Sequence, residues 1–320
     1  MARINIENRY DPQMAAALRK QMELAPDLGE MTSGVNPGQM REIYRRDREF
    51  WNEDAPEIAS VTDIPVSSPA GTVAARVYHP EPDKTLPVLV FSHGGGFMAG
   101  DNDTHDKIMR ELAKRAGMAV VGVDYHLSPE HKFPTPLEDV EAVLNYLLAN
   151  SDELKIDCSR LGLGGDSAGA YLSLATCLKI RRTHPGLVKH LQLVYGTFGL
   201  RDSVSRRLYG GQEDGCGPED LKYYFTCFFG DGANRDDPLV NLLQQDMAGL
   251  PPTFIIAADI DPVHDDSAAL HALMADAGVD VKMKTFRGVL HGFLHYSRMV
   301  DQAGEALSDC ATQMMKHLGA

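Results

Sequence analysis

The chain has 320 residues, 43% of them hydrophobic and 24% charged, the balance of an ordinary soluble globular protein that can bury a core without disulfides or a structural metal. Its 31 basic and 45 acidic residues leave a net charge of −14, and the short pairs Arg45-Arg46, Arg181-Arg182 and Arg206-Arg207 gather no basic patch, so no nucleic-acid partner is expected. The 5 cysteines (Cys158, Cys177, Cys216, Cys227, Cys310) are odd in number and contain no Cys-x-x-Cys spacing, which suits thiols in a reducing compartment rather than a disulfide framework or a zinc knuckle.

In chain order, Met1 to Asp11 carries Arg3, Glu7, Arg9 and Asp11 and no apolar stretch, unlike a signal peptide. Residues 1–60 read as helical and polar. Met14, Ala15, Ala17, Leu18, Met22 and Leu24 recur at helical spacing, and after a break over Thr32–Gly38 a second helix is predicted from Gln39 to Asn52. Alternation predicts an early strand at Thr72–Tyr78.

From Pro87 short apolar runs alternate with longer amphipathic segments. Strands are predicted at Val88–Ser92, Ala119–Asp124, Leu161–Gly164, Leu191–Tyr195, Thr253–Ala257 and Val281–Phe286. Helices are predicted near Lys107–Ala116, Pro136–Asn150, Ala168–Arg182 and Ser267–Ala277, and from Arg298 to His317. That rhythm predicts an α/β fold with a mostly parallel central sheet and helices on both faces. Residues 200–250, rich in Gly, Asp and aromatics, place two helices between consecutive strands. With residues 1–60 they are expected to form a helical cap on a catalytic domain of residues 61–320. The apolar runs are too short to span a bilayer, so no membrane partner and a cytoplasmic location are expected.

The strongest chemical signal is Gly165-Asp166-Ser167-Ala168-Gly169, which follows a predicted strand and opens a predicted helix. In that context Gly-x-Ser-x-Gly is a nucleophile elbow: the serine sits on a sharp turn, flanking glycines avoid Cβ clashes, and the helix N-terminus favours developing negative charge. Upstream, His93-Gly94-Gly95-Gly96 ends another predicted strand. Three successive glycines read as having no packing role and as offering amides that a small oxygen can approach. Gly94, Gly95 and Ala168 are the expected oxyanion-hole donors. The Gly-Lys-Ser/Thr ending of a phosphate-binding P-loop is missing.

An acid and a base remain to be placed. Such elbows are followed by an acid and then a histidine, each in a loop after a strand. Asp261, before Pro262, is the expected acid, with Asp259 and Asp265 as rivals. His291, beside Gly292, is the expected base, with His295 as its rival and His264 too close to the acid loop. His291 and His295 have helical metal-ligand spacing, but no third ligand lies at a fitting distance in sequence, so no metal is expected.

These motifs together resemble the hormone-sensitive-lipase-like branch of the α/β-hydrolases, which pairs H-G-G-G with G-D-S-A-G. The likeness extends to Asp124-Tyr125-His126-Leu127-Ser128-Pro129-Glu130, where His126 and Ser128 depart from the branch's D-Y-R-L-A-P-E, and to Asp261-Pro262 with Asp265 and His291-Gly292-Phe293. Within it, Phe50-Trp51-Asn52, Ala55-Pro56-Glu57, Asp103-Thr104-His105-Asp106, Leu200 to Val204 and Phe293 to Met299 are similar to the bacterial acetyl esterases. The resemblance implies an α/β-hydrolase fold and hydrolysis of small-molecule short-chain acyl esters, chiefly acetyl, without a cofactor. Two alternatives stay open. One is a catalytically silent relative that binds a ligand or protein; the other is a lipase, amidase or peptidase using the same triad. No sequence mark bears on oligomeric state.

Overall fold

The apolar runs come together as one eight-stranded sheet in the computed structural model, which describes residues 7–25, 36–211, 216–231, 234 and 237–319. The strands are β1 (Ser60–Ser68), β2 (Gly71–His79), β3 (Leu86–Ser92), β4 (Ala119–Asp124), β5 (Ile156–Asp166), β6 (Val188–Val194), β7 (Thr253–Ile260) and β8 (Val281–Leu290). They lie in the order β1-β2-β4-β3-β5-β6-β7-β8; β2 is antiparallel to β1 and β4, and every other pair is parallel. The helices are α1 (Pro12–Leu24), α2 (Pro37–Asn52), α3 (Asp106–Ala116), α4 (Thr135–Leu154), α5 (Ala168–Ile180), α6 (Val204–Leu208), α7 (Pro218–Phe229), α8 (His264–Asp276) and α9 (Asp301–Leu318). None is long and apolar enough to cross a membrane.

Side-chain alternation along each strand divides the core into two layers. On β3, Val88 and Val90 join the cluster formed with α4, α5 and α8, whereas Leu89 and Phe91 join the cluster formed with α1, α3 and α9. On β7, Ile255 faces the first layer and Phe254 and Ile256 the second. A strand buried on both faces needs apolar residues at every position, which is why these runs read as continuous in the sequence. Each such side chain contributes on the order of 2 kcal/mol of burial free energy.

The predicted strands of the parallel region all appear, with several ends displaced. β1 was not predicted; only Ile64 and Val66 of its residues are buried, and Val61 to Asp63 are exposed, so it carries little apolar signal. β8 continues through Arg287–Leu290, where a loop was expected, because Gly288 adopts φ +74° and lets the strand press against the backbone at Asp11. Residues 32–35 of the predicted break lie outside the described residues, as do 212–215, 232–233 and 235–236 of the segment 200–250.

Register then places the chemistry. Ser92 of β3 pairs with Gly165 of β5, so the glycine loop and the serine turn leave neighbouring strands at one level. Ile260 of β7 pairs with Leu290 of β8, so Asp261 and His291 also leave side by side. All four loops emerge at the carboxyl ends of parallel strands, where open α/β sheets bind ligands.

Candidate active site

Ser167 joins β5 to α5 with φ 53° and ψ −117°, a conformation that costs roughly 1–3 kcal/mol outside glycine. Its amide donates to the Val194 carbonyl at 2.8 Å, and α5 behind it is buried almost throughout. Both flanking glycines are required by contact: a Cβ at Gly165 or Gly169 would overlap the Ser92 carbonyl oxygen at the end of β3. The close approach of the two loops therefore depends on glycine.

His291 Nε2 lies 2.8 Å from Ser167 Oγ, and His291 Nδ1 lies 2.9 Å from Asp261 Oδ2. Asp261 is fully buried, and its other oxygen accepts the Val263 amide at 2.8 Å. Burial alone would lower the His291 pKa; the Asp261 carboxylate, together with Cys216, outweighs it and holds the imidazole well above its ordinary value. The structure thus brings the three predicted residues into one hydrogen-bonded line.

The rivals are engaged elsewhere. Asp259 accepts the Gly288 amide at 2.7 Å, Asp265 accepts the Ser205 amide at 2.9 Å, and the His264 ring bonds the Ala258 carbonyl at 2.8 Å. His295 lies with Nε2 4.0 Å from Asp166. Burial and the nearby Arg48 cation lower its pKa well below the ordinary range.

One expected donor is corrected. The Gly94 amide points at Asp166 Oδ1 at 2.9 Å, so it is not free to hold an oxyanion. Gly95, Gly96 and Ala168 line the cavity with Ser167, and among the described residues their amides donate to no protein acceptor. Gly96, in the cavity wall, was not among the expected donors. The three glycines do have packing roles, contrary to expectation. A Cβ at Gly94 would lie 2.6 Å from Asp166 Oδ2, Gly95 turns at φ +118° against the Ala99 carbonyl, and a Cβ at Gly96 would lie 2.9 Å from the Tyr224 ring.

Asp166, singled out only as a motif letter, organises the floor of the site. It is buried, and besides Gly94 it meets His105 Nε2 at 3.3 Å and accepts from the Tyr195 hydroxyl at 3.3 Å. Burial pushes its pKa up, but His105 and the Gly94 amide outweigh that and keep it below its ordinary value. His105, Asp166 and His295 offer ligand atoms within 4.8 Å of one another, a donor set that could hold a metal by composition. The Gly94 N–H fills the gap, however, reaching both Asp166 Oδ1 at 2.9 Å and His105 Nε2 at 3.3 Å, where a cation would need those lone pairs.

The cavity at Ser167 has a volume of about 110 Å³. Its walls include Met40, Tyr44 and Arg48 from α2 and Leu221, Tyr224 and Phe225 from α7. A lone side chain on a helix carries no sign of which cavity it will line, so these were invisible in the sequence.

Comparison with known proteins adds to this geometry. A family described by its α/β-hydrolase fold matches residues 89–295. The chain is 39% identical to an acetyl esterase of Salmonella typhi over 319 residues, 99% of this chain and 97% of that protein. It is 30% identical to an esterase of Pyrobaculum calidifontis, with a TM-score of 0.88 over 97% of this chain and 100% of that one. It is also 30% identical to a thermostable carboxylesterase cloned from a metagenomic library, with a TM-score of 0.84 over 89% of this chain and 98% of that one.

Proposed function

The chain belongs to the α/β-hydrolase fold family, and from that membership we propose that it is a serine carboxylesterase of the hormone-sensitive-lipase-like branch, acting on short-chain, acetyl-type esters. The observation that carries this reading is the line from Ser167 Oγ through His291 to Asp261, with contacts of 2.8 and 2.9 Å, facing amides without acceptors.

His291 Nε2 takes the Ser167 proton as Oγ bonds to the ester carbonyl carbon, and the charge moves to the carbonyl oxygen. Gly95, Gly96 and Ala168 donate to that oxygen. Asp261 orients the imidazole and stabilises its cation. Collapse breaks the bond to the alcohol, which leaves with the proton from His291; water, deprotonated by the same imidazole, then releases the acid. All of this is done by side chains and amides of the chain itself.

The acetyl range is supported by the Salmonella relative's name and by the aromatic walls Tyr224 and Phe225 of a small cavity. In the same reading residues 1–60 and 200–250 form a cap: α2 and α7 both contribute to the cavity above the strand ends of the catalytic domain, residues 61–320. A cytoplasmic location is supported by the five cysteines, odd in number and without a Cys-x-x-Cys spacing.

The test is turnover of a chromogenic acetate ester, followed by trapping with a serine-directed phosphonate and peptide mapping. Turnover with the label on Ser167 is the expected result. No turnover would leave the binding-only alternative standing, and a label on another residue would overturn the site.

A further inference from the structure

A second cavity, of about 50 Å³, lies beside the one that holds Ser167. Its walls include Tyr171, Leu200, Phe229 and Val240, none of which borders the first cavity. Thr197 and Phe225 border both, so these two side chains stand between the two spaces. The proposed hydrolysis makes no use of the second space.

The two members of this partition are held differently. Thr197 opens a turn whose next amides, those of Phe198, Gly199 and Leu200, all donate to Asp266 Oδ1, at 2.7, 3.0 and 3.1 Å. Asp266 is fully buried on α8, and its other oxygen pairs with Arg206 Nη2 of α6 at 2.8 Å. The same nitrogen donates to the Thr197 hydroxyl at 3.2 Å. Thr197 is thereby fixed by a buried network that is costly to break. Phe225 comes from α7 and is half-buried. A phenyl ring makes no such hydrogen bond; its neighbours include the Arg206 guanidinium at 5.9 Å and the Phe229 ring at 6.2 Å. Phe225 is the bulkier member, and the one that substitution removes without breaking a hydrogen bond.

The lining of the second space suits an apolar occupant. The Tyr171 hydroxyl donates to the Leu239 carbonyl, and the Thr197 hydroxyl oxygen is engaged by Arg206. Asn241 also borders the space, but its Oδ1 is buried against Gly199. Arg201 lies exposed at the edge. Leu200, Phe225, Phe229 and Val240 supply the rest, and such side chains pack against the methylenes of a chain.

We infer that Phe225 sets the length of chain the site accepts, by closing the second cavity to an unbranched apolar chain that begins at the ester in the first. The inference rests on the esterase reading. Such a chain can belong to the acyl half or to the alcohol half, and the two sources are told apart by assay. The test measures kcat/KM for p-nitrophenyl acetate, butyrate and hexanoate, and for ethyl, butyl and hexyl acetate. Phe225→Ala is expected to raise the hexanoate-to-acetate ratio or the hexyl-to-ethyl ratio by about tenfold or more over native, since one methylene in an apolar pocket changes kcat/KM by roughly that factor. A rise in the first ratio places the acyl chain in the second cavity, and a rise in the second ratio places the alcohol chain there.

Val240→Phe, added to Phe225→Ala, fills the second cavity from a wall that the first does not share and is expected to cancel the gain. Phe225→Leu keeps an apolar side chain and keeps the test decisive if Phe225→Ala fails to fold. Ratios within about twofold of native in both series, in a folded variant, overturn the role of Phe225. A gain that survives Val240→Phe overturns it as well, because the added room then belongs to the first cavity. Hydrolysis of no member of either series by the native protein overturns the esterase reading itself, and the inference with it.

Discussion

The Asp166 carboxylate accepts the amide hydrogen of Gly94 at 2.9 Å, so the residue before the serine grips the loop that carries the proposed oxyanion amides. The two loops leave paired strands, but register alone does not orient an amide. This hydrogen bond engages the Gly94 N–H, while Gly95 and Gly96 line the cavity.

Replacing Asp166 with Ala removes the acceptor of the Tyr195 hydroxyl and the shorter of the two contacts of the Gly94 N–H, leaving only the one to His105 Nε2, and loosens the loop. The expected outcome is a fall in kcat of about 10² or more on a chromogenic acetate, with KM changed much less, since oxyanion donors act mainly in the transition state. An unaltered kcat would mean the loop is held by other contacts.

Ser167→Ala removes the attacking oxygen without adding volume. Esterase rate is expected to drop by about 10⁴ or more while the circular dichroism spectrum stays native, because the members of a triad act as a unit. Activity within tenfold of native would exclude Ser167 as the nucleophile.

His291 must be neutral to accept the serine proton. Its pKa is held above the ordinary 6.5, so kcat/KM should rise with pH along a limb that lies alkaline of that value. In Asp261→Asn the carboxylate that raises the pKa is gone, burial is opposed by Cys216 alone, and the pKa falls below that of the native enzyme. The residual activity should then show its limb at lower pH. A limb that stays put in the variant would sever Asp261 from His291.

Gly169→Ala drives a methyl group into the Ser92 carbonyl, and backbone on both sides leaves little room to yield. A loss of about 3 kcal/mol or more in stability is expected from chemical denaturation. A comparable substitution at Gly304, on the helix α9, meets no atom within 4 Å and should be neutral or mildly stabilising.

Acyl-chain preference follows from the walls. Tyr224 and Phe225 of α7 bound a cavity of about 110 Å³, so kcat/KM should decline from acetate through butyrate to palmitate esters. A maximum at palmitate would point to a lipase.

Local patterns determined the elements and the elbow. Alternation of apolar runs with amphipathic segments depends on near neighbours alone, and so does the steric demand for glycine around Ser167; both could be read directly. β1 escaped because its burial is supplied by β2 and α4 and not by its own apolar content.

Tertiary structure decided the partners. Asp259, Asp261 and Asp265 are chemically alike in the sequence, and the pairing of Ile260 with Leu290 sets which of them meets His291. Gly94, Gly95 and Gly96 are identical residues, and contacts with Asp166 Oδ1 and His105 Nε2 distinguish the Gly94 amide from the other two. Backbone conformation is governed over a few residues, whereas the choice of a hydrogen-bond partner is made between strands and helices far apart in the chain, through register and packing that no short stretch contains.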